Sequence, residues 1–244
     1  MSLKGKTALI TGGNSGLGFA SAKLLSSHGA KVIIVARRED ELKKAASEIG
    51  SNAIAIPADV SKVSDIKKLF STVKKYTDSI DILFANAGVV DDNQPIGEIT
   101  EESFDRFFSI NVKGMLFTVQ EALPFLHRGS SVILTSSVVA RKGFPNGSVY
   151  AATKASNRSF ARTWTTDLKD RGIRVNAISP GPILTEGFKA GVPDEEIKGF
   201  ESSVPLGHVG EPRNIADAVL FLAGDESSFI TGADIQVDGG LGQV

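Results

Sequence analysis

Residues 7–18, Thr7-Ala8-Leu9-Ile10-Thr11-Gly12-Gly13-Asn14-Ser15-Gly16-Leu17-Gly18, carry the pattern that decides the fold. A short apolar run bounded by threonines gives way to a glycine cluster, and helix-period residues follow, so a strand passes into a helix through a turn poor in side chains. Such a turn lets backbone approach a ligand closely. The following helix N-terminus adds unpaired N–H groups and a partial positive charge, a combination suited to a diphosphate. A plain tight turn is the competing reading of glycines alone. Their place after the first strand of a βαβ unit favours the ligand site, although the spacing is G-x-x-x-G-x-G and not G-x-G-x-x-G. The Gly5-Lys6-Thr7 triplet lacks an upstream phosphate loop, which excludes a Walker-type site.

Working outward from this turn, β-branched runs alternate with longer helix-period segments. Strands are expected near Thr7–Thr11, Lys31–Ala36, Ala53–Pro57, Ile80–Ala85, Ser131–Ser136, Arg174–Ile178 and Asp234–Val237, with helices starting near Gly16, Asp40, Val63, Thr100, Ser148 and Glu211. The expected product is α/β: a single Rossmann-type doubly wound domain over residues 1–244, with a seven-stranded, mostly parallel sheet flanked by helices. The stretch from Pro182 to Val204, rich in Gly, Pro and charge, breaks the rhythm and reads as a substrate lid.

Composition narrows the functional class. Of 244 residues, 41% are hydrophobic, and 27 basic against 28 acidic residues leave a net charge of -1, so no overall field favours nucleic acid or a membrane surface. Small, locally recognised ligands are the expected partners. Cysteine is absent, which removes thiol nucleophiles, thiolate metal sites and disulfides together. No apolar run approaches the ~20 residues of a membrane helix, and the N-terminus reads as a strand without a cleavage site. A cytoplasmic location is expected. His28, His127 and His208 are far apart, with no carboxylate or imidazole at ligand spacing, so no metal site is expected.

Acid–base chemistry centres on Tyr150 and Lys154, which share one helix face at i and i+4 and place an ammonium near a phenol. A phenol that titrates near ~10 must fall to about 7 for exchange near neutrality, roughly 4 kcal/mol, which one charge at ~4 Å and an effective dielectric of ~20 supplies. Tyr150 is thus expected to give a proton to a carbonyl oxygen in reduction and take it back in oxidation. Ser137, at the end of the fifth strand, is placed to hydrogen-bond the same oxygen, an ordinary strand-end hydroxyl being the bland alternative.

Taken in order along the chain, Thr11-Gly12 to Gly18, Asn86-Ala87-Gly88, Asn111, Ser137, Tyr150-Ala151-Ala152-Thr153-Lys154, Pro180-Gly181, Thr185 and Asp238-Gly239-Gly240 resemble the short-chain dehydrogenase/reductase family over essentially the whole sequence. The resemblance implies a catalytic set of Ser137, Tyr150, Lys154 and Asn111, the last holding a water that links Lys154 to solvent. It implies that Gly12, Asn14, Ser15, Gly16, Leu17 and Gly18 cradle the cofactor diphosphate, with Asp59 and Val60 at the adenine, Asn86, Ala87 and Gly88 at the adenosine ribose, and Pro180, Gly181, Ile183 and Thr185 toward the nicotinamide. For Asp59 a helix N-cap is the alternative. Val139, Phe144 and Phe188 join Ser137 and Tyr150 as substrate contacts. Relatives assemble through the helices near Asn111 and after Tyr150, so a homo-oligomer, a tetramer, is expected.

NADP(H) is the preferred cofactor by this reading, with NAD(H) possible. Family members that prefer NAD end the second strand with an acidic residue; here Ala36 stands there, followed by Arg37 and Arg38, whose guanidinium groups match a 2′-phosphate. The competing reading pairs these arginines with Glu39, Asp40 and Glu41. Ser15 stands where many NADP-preferring relatives carry a basic residue, which tempers the preference. Three functions stay open: a ketone/aldehyde reductase or alcohol dehydrogenase, including sugar substrates; a 3-oxoacyl-[acyl-carrier-protein] reductase; and a non-catalytic dinucleotide-binding regulator. For the second, Arg128 and Arg171 resemble basic residues that meet an acidic partner, while the segment from Val89 to Thr100 departs from that enzyme's pattern.

Overall fold

Strand β1 (Thr7–Thr11) is buried along its whole length, as a strand must be when helices cover both faces of its sheet. The computed structural model describes residues 1–90 and 94–244; residues 91–93, within the Val89–Thr100 segment, lie outside the described residues. After β1 come α1 (Gly16–Ser27), β2 (Lys31–Ala36), α2 (Glu39–Ile49), β3 (Ala53–Pro57), α3 (Val63–Val73) and β4 (Ile80–Ala85). The second half holds α4 (Glu101–Phe108), a π-helical turn (Ser109–Gly114), α5 (Met115–Ala122), β5 (Leu126–Thr135), α6 (Ser148–Asp167), β6 (Arg174–Pro180), α7 (Glu186–Gly191), α8 (Asp194–Ser203), α9 (Pro212–Ala223) and β7 (Asp234–Val237).

The strands form one sheet in the order β3-β2-β1-β4-β5-β6-β7. Every pairing among the described residues is parallel, so all carboxyl ends share one edge, and the winding reverses between β1 and β4 to open a crevice there. Period-two alternation divides the core. Leu9, Ile33, Val35, Leu83, Val132 and Leu134 face one way onto α3, α5 and α6, and Ala8, Ile10, Val32, Ile34, Phe84 and Ile133 face the other onto α1, α2 and α9.

Three local expectations change. The fifth strand starts at Leu126, not Ser131, because Ile80 pairs with Leu126 and Ile82 with Ser131, an irregularity that absorbs the residues around Gly129. The helix expected from Thr100 begins at Glu101 with Thr100 as its cap, and it widens into the π-helical turn that carries Asn111. Residues 182–204 are mostly helical, in α7 and α8, whose aromatic rings Phe188 and Phe200 meet at 5.7 Å.

The glycine turn has a mixed explanation. A Cβ at Gly18 would fall on the Gly12 carbonyl oxygen and within 2.8 Å of Asn86 Nδ2, and one at Gly13 within 2.8 Å of Ile34 Cβ. These glycines serve the approach of chain to chain. Gly16 differs: its φ is +53° and the nearest atom to an added Cβ is Thr185 Cγ2 at 3.4 Å, so here backbone conformation is the constraint and the space beside it stays open. Gly18→Ala should lower stability by about 2–3 kcal/mol, or roughly 4–12 °C in the unfolding midpoint. Gly199→Ala in α8, where nothing lies within 4 Å, should be neutral or stabilise by up to about 1 kcal/mol. Thermal unfolding of the two variants checks both signs.

Candidate active site

A band of polar groups links the carboxyl ends of the central strands. Thr11 Oγ1 accepts hydrogen bonds from the backbone N–H groups of Asn86 (3.0 Å) and Ala87 (3.1 Å), which fixes β4 to β1 where both strands end. Asn86 Nδ2 donates to the Thr11 carbonyl at 3.1 Å, and Asn86 Oδ1 accepts from Thr135 Oγ1 at 3.1 Å, so the band continues to β5. The Thr135 carbonyl then accepts from Lys154 Nζ (3.1 Å) and Asn157 Nδ2 (3.2 Å) of α6. Ser136 Oγ adds a bond to the Lys154 carbonyl at 2.9 Å. Thr11, Thr135 and Asn157 were not among the expected site residues. Their signal was a hydroxyl or amide at the end of an apolar strand, or one turn after Lys154.

Ser137, Tyr150, Lys154 and Asn111 come together on this band. Ser137 lies two residues past the end of β5, buried, its Oγ accepting from Val139 N–H at 3.4 Å, and it is close enough to Tyr150, in the first turn of α6, to act on that phenol. The Tyr150 ring rests 6.1 Å from the ring of Phe107 in α4. Asn111 Oδ1 accepts from Val89 N–H at 2.8 Å, and its Nδ2 donates to the Val89 carbonyl (3.0 Å) and to Thr153 Oγ1 (3.2 Å). The carboxamide thus pins the Asn86–Val89 loop to α6. Both side-chain donors and the oxygen thus have partners within the protein, and the residue sits in a π-helical turn whose hydrogen-bond ladder is widened.

The electrostatics differ from the expectation for Tyr150. Burial pushes its phenol up to about 12, with the Ser137 hydrogen bond acting in the opposite direction. Lys154 does not lower it, because Nζ is turned to the Thr135 carbonyl and lies 5.6 Å from the ring centroid. The ammonium is itself perturbed. Loss of water around it lowers its pKa from 10.5 to about 8.

Around the glycine turn the chain fits a dinucleotide. Ser15 is the N-cap of α1, yet its side chain makes no capping bond, so the first-turn N–H groups of that helix are left to a ligand. Leu17 packs against the core, and Gly88 lies open above Asn111 and Lys154, whose Oδ1 and Nζ would be 3.1 and 3.4 Å from an added Cβ. Asp59 stands two residues beyond β3 and is not a helix cap: Oδ1 accepts from Ser61 N–H (3.0 Å) and Ser61 Oγ (2.8 Å). Val60 and Ile183 bury their side chains in the two core layers, and Pro180 closes β6. Gly181 is set by close packing on Asp238. Thr185 caps α7, its Oγ1 accepting from Phe188 N–H at 3.1 Å.

Arg38 and Arg37 separate. Arg38 pairs with Glu41 at 2.5 Å, whereas Arg37 is exposed and has no ion pair or hydrogen bond among the described residues. Val139 and Phe144 pack beside Val138, Val204 and Leu241, a small apolar cluster that joins the segment after Ser137 to the end of α8. His28, His127 and His208 bond to Met1, Arg128 and Val209 carbonyls, and no group of three candidate metal ligands occurs among the described residues. Phe160 and Trp164 stack at 4.5 Å against a core layer.

A family model described as enoyl-(acyl carrier protein) reductase matches residues 12–242. The oxidoreductase asL5 of Sarocladium schorii is 42% identical over 244 residues, covering 99% of this chain and 98% of that protein. Among solved structures, a short chain dehydrogenase/reductase family protein superposes with a TM-score of 0.90 at 36% identity over 100% of both chains. A 3-ketoacyl-(acyl-carrier-protein) reductase from Brucella melitensis complexed with NADH superposes at 0.92 with 32% identity, covering 99% of this chain and 100% of that one. With sheet order, polar band and sequence likeness in agreement over nearly every residue, this chain belongs to the short-chain dehydrogenase/reductase family of oxidoreductases.

Proposed function

We propose that this enzyme interconverts a ketone or aldehyde and the corresponding alcohol with a nicotinamide dinucleotide, NADP(H) preferred and NAD(H) possible, in one catalytic domain over residues 1–244. The observation that carries the proposal is Ser137 and Tyr150 brought together at the open carboxyl edge, with the Lys154 ammonium buried and held on the Thr135 carbonyl. The cofactor supplies or accepts the hydride. Gly12, Asn14, Ser15, Gly16, Leu17 and Gly18 would hold its diphosphate, Asp59 the adenine, Asn86, Ala87 and Gly88 the ribose, and Ile183 and Thr185 the nicotinamide end.

Ser137 Oγ donates to the substrate oxygen and stabilises charge that builds there. Tyr150, protonated across the neutral range, gives its proton to the same oxygen during reduction. Lys154, its pKa lowered by burial to about 8, resupplies that proton and draws on solvent through the Asn111 turn. Val139, Phe144 and Phe188 border the substrate, with residues 182–204 as the lid. The chain works as a homo-oligomer, a tetramer, consistent with the exposed Phe104, which stacks on Phe108 at 4.4 Å in α4.

A second reading, reduction of a 3-oxoacyl carrier-protein thioester, is favoured by the Brucella relative. Its proposed docking residues count against it. Arg128 donates to the Asp170 carbonyl and Arg171 to the carbonyls of Leu123 and Leu126, at the amino ends of β5 and β6, opposite the site. Turnover of small ketones against acyl carrier-protein thioesters separates the two readings.

Tyr150→Phe should lower kcat by about 100-fold or more while dissociation constants for cofactor change by less than about 3-fold. Near-wild-type turnover would sink the assignment. Arg37→Ala should weaken NADP(H) binding by roughly 10- to 100-fold and leave NAD(H) within about 2-fold, since the lost contact is a charge-assisted one. Comparative kcat/KM values with both cofactors check it.

A further outcome concerns protonation and stability. With a folded-state pKa of about 8 against 10.5, the folded chain holds fewer protons on Lys154 than the unfolded chain between those values, so stability contributed by this group rises with pH across that window. Below about pH 8 the penalty is complete, at most about 3 kcal/mol. Lys154→Met should therefore raise the unfolding midpoint of cofactor-free protein at pH 7, and its advantage should shrink between pH 8 and 10.5. Tyr150, raised instead, costs stability only above about pH 10. Differential scanning calorimetry at stepped pH gives the comparison.

A further inference from the structure

Three acidic residues open α2, and they are used differently. Glu39 pairs with Lys43 along the helix at 2.7 Å. Glu41 points back to the cofactor turn: one carboxylate oxygen takes Arg38 Nε at 2.5 Å, and the other accepts from Asn14 Nδ2 at 3.1 Å. One oxygen is thus held within the start of α2, by its own N-cap Arg38, and the other by Asn14 of the glycine turn, so the carboxylate ties the two segments together. A carboxylate with a guanidinium on one side and an amide on the other occupies the kind of donor set that a phosphate monoester takes.

Resting on the reading that Arg37 and Arg38 receive the 2′-phosphate, we propose that Glu41 is a specificity-determining residue, an internal anion that competes with that phosphate for Arg38 and for the Asn14 side of the turn. An incoming 2′-phosphate has to displace the Glu41 carboxylate from Arg38 and tolerate its charge nearby. A ribose with a free 2′-hydroxyl does neither. Glu41 therefore weakens NADP(H) selectively and sets the preference below what two adjacent arginines would give. Because Arg37 has no competing partner among the described residues, it supplies the first phosphate contact, and Arg38 joins only as Glu41 is released.

Glu41→Gln keeps the side-chain shape and an acceptor for Asn14 while removing the charge. Both partners are surface groups, with side-chain exposures of 64% for Arg38 and 51% for Glu41, so the substitution leaves the fold intact. In titrations of cofactor-free enzyme followed by nicotinamide fluorescence, the variant should bind NADPH about 3- to 10-fold more tightly and NADH within about 2-fold of wild type. The gain should fade at about 0.5 M salt, as an electrostatic effect between exposed groups must. NADPH affinity that is unchanged or weaker in Glu41→Gln overturns the proposal and makes Glu41 a support for Arg38 instead. The two ideas fail separately. The wild-type NADPH-to-NADH ratio reads the cofactor preference, whereas the variant-to-wild-type ratio for NADPH reads the competition.

Discussion

Thr11 is the residue through which the sheet becomes a site. Its hydroxyl accepts from two successive backbone N–H groups at the end of β4, where the parallel ladder has stopped and those donors would otherwise face the crevice unpaired. That contact sets the Asn86 carboxamide between the glycine turn and Thr135, and Thr135 in turn offers its carbonyl to Lys154. The polar band also satisfies groups that close packing would leave without water, which is why it can sit directly above two dry apolar layers.

Charge at the site follows from the same geometry. The band holds the Lys154 ammonium on a strand carbonyl and both groups lie in a region poor in water, so both shift toward their neutral forms: Tyr150 holds its proton and Lys154 gives one up more readily. The intuitive reading of an i, i+4 pair, in which ammonium simply acidifies phenol, overlooks that a lysine stem is long enough to choose another acceptor. Here the choice is a strand carbonyl.

Strand positions were legible because burial on both faces writes continuous apolar runs, and the glycine turn was legible because its residues have few alternatives. Bounds failed where the backbone is irregular. The extension of β5 back to Leu126 depends on a register shift opposite Ile80, and the π-helical turn at Asn111 leaves no mark in residue spacing. Asp59 shows the limit for side chains: from sequence it could be a helix cap, but the turn that follows gives its oxygen to Ser61 instead. The glycines carried a subtler lesson, since Gly13 and Gly18 are required by the chain's own crowding as much as by any ligand. Partner choices at the surface, such as Arg38 taking Glu41 while Arg37 has no partner among the described residues, depend on orientations that residue order does not encode.

The strand order also bears on how the chain reaches this state. β1 lies between β2 and β4, and the Thr11–Asn86 bond joins residues 75 apart in sequence. During synthesis the first βαβ units therefore present one uncovered edge of β1 until residues up to β4 have emerged, an interval in which an apolar strand has no partner. Non-local parallel pairing of this kind slows folding and prolongs the exposure of such edges. The bond that closes the sheet's centre thus also covers the free edge of β1 and passes the open edge on to β4, which β5 covers next.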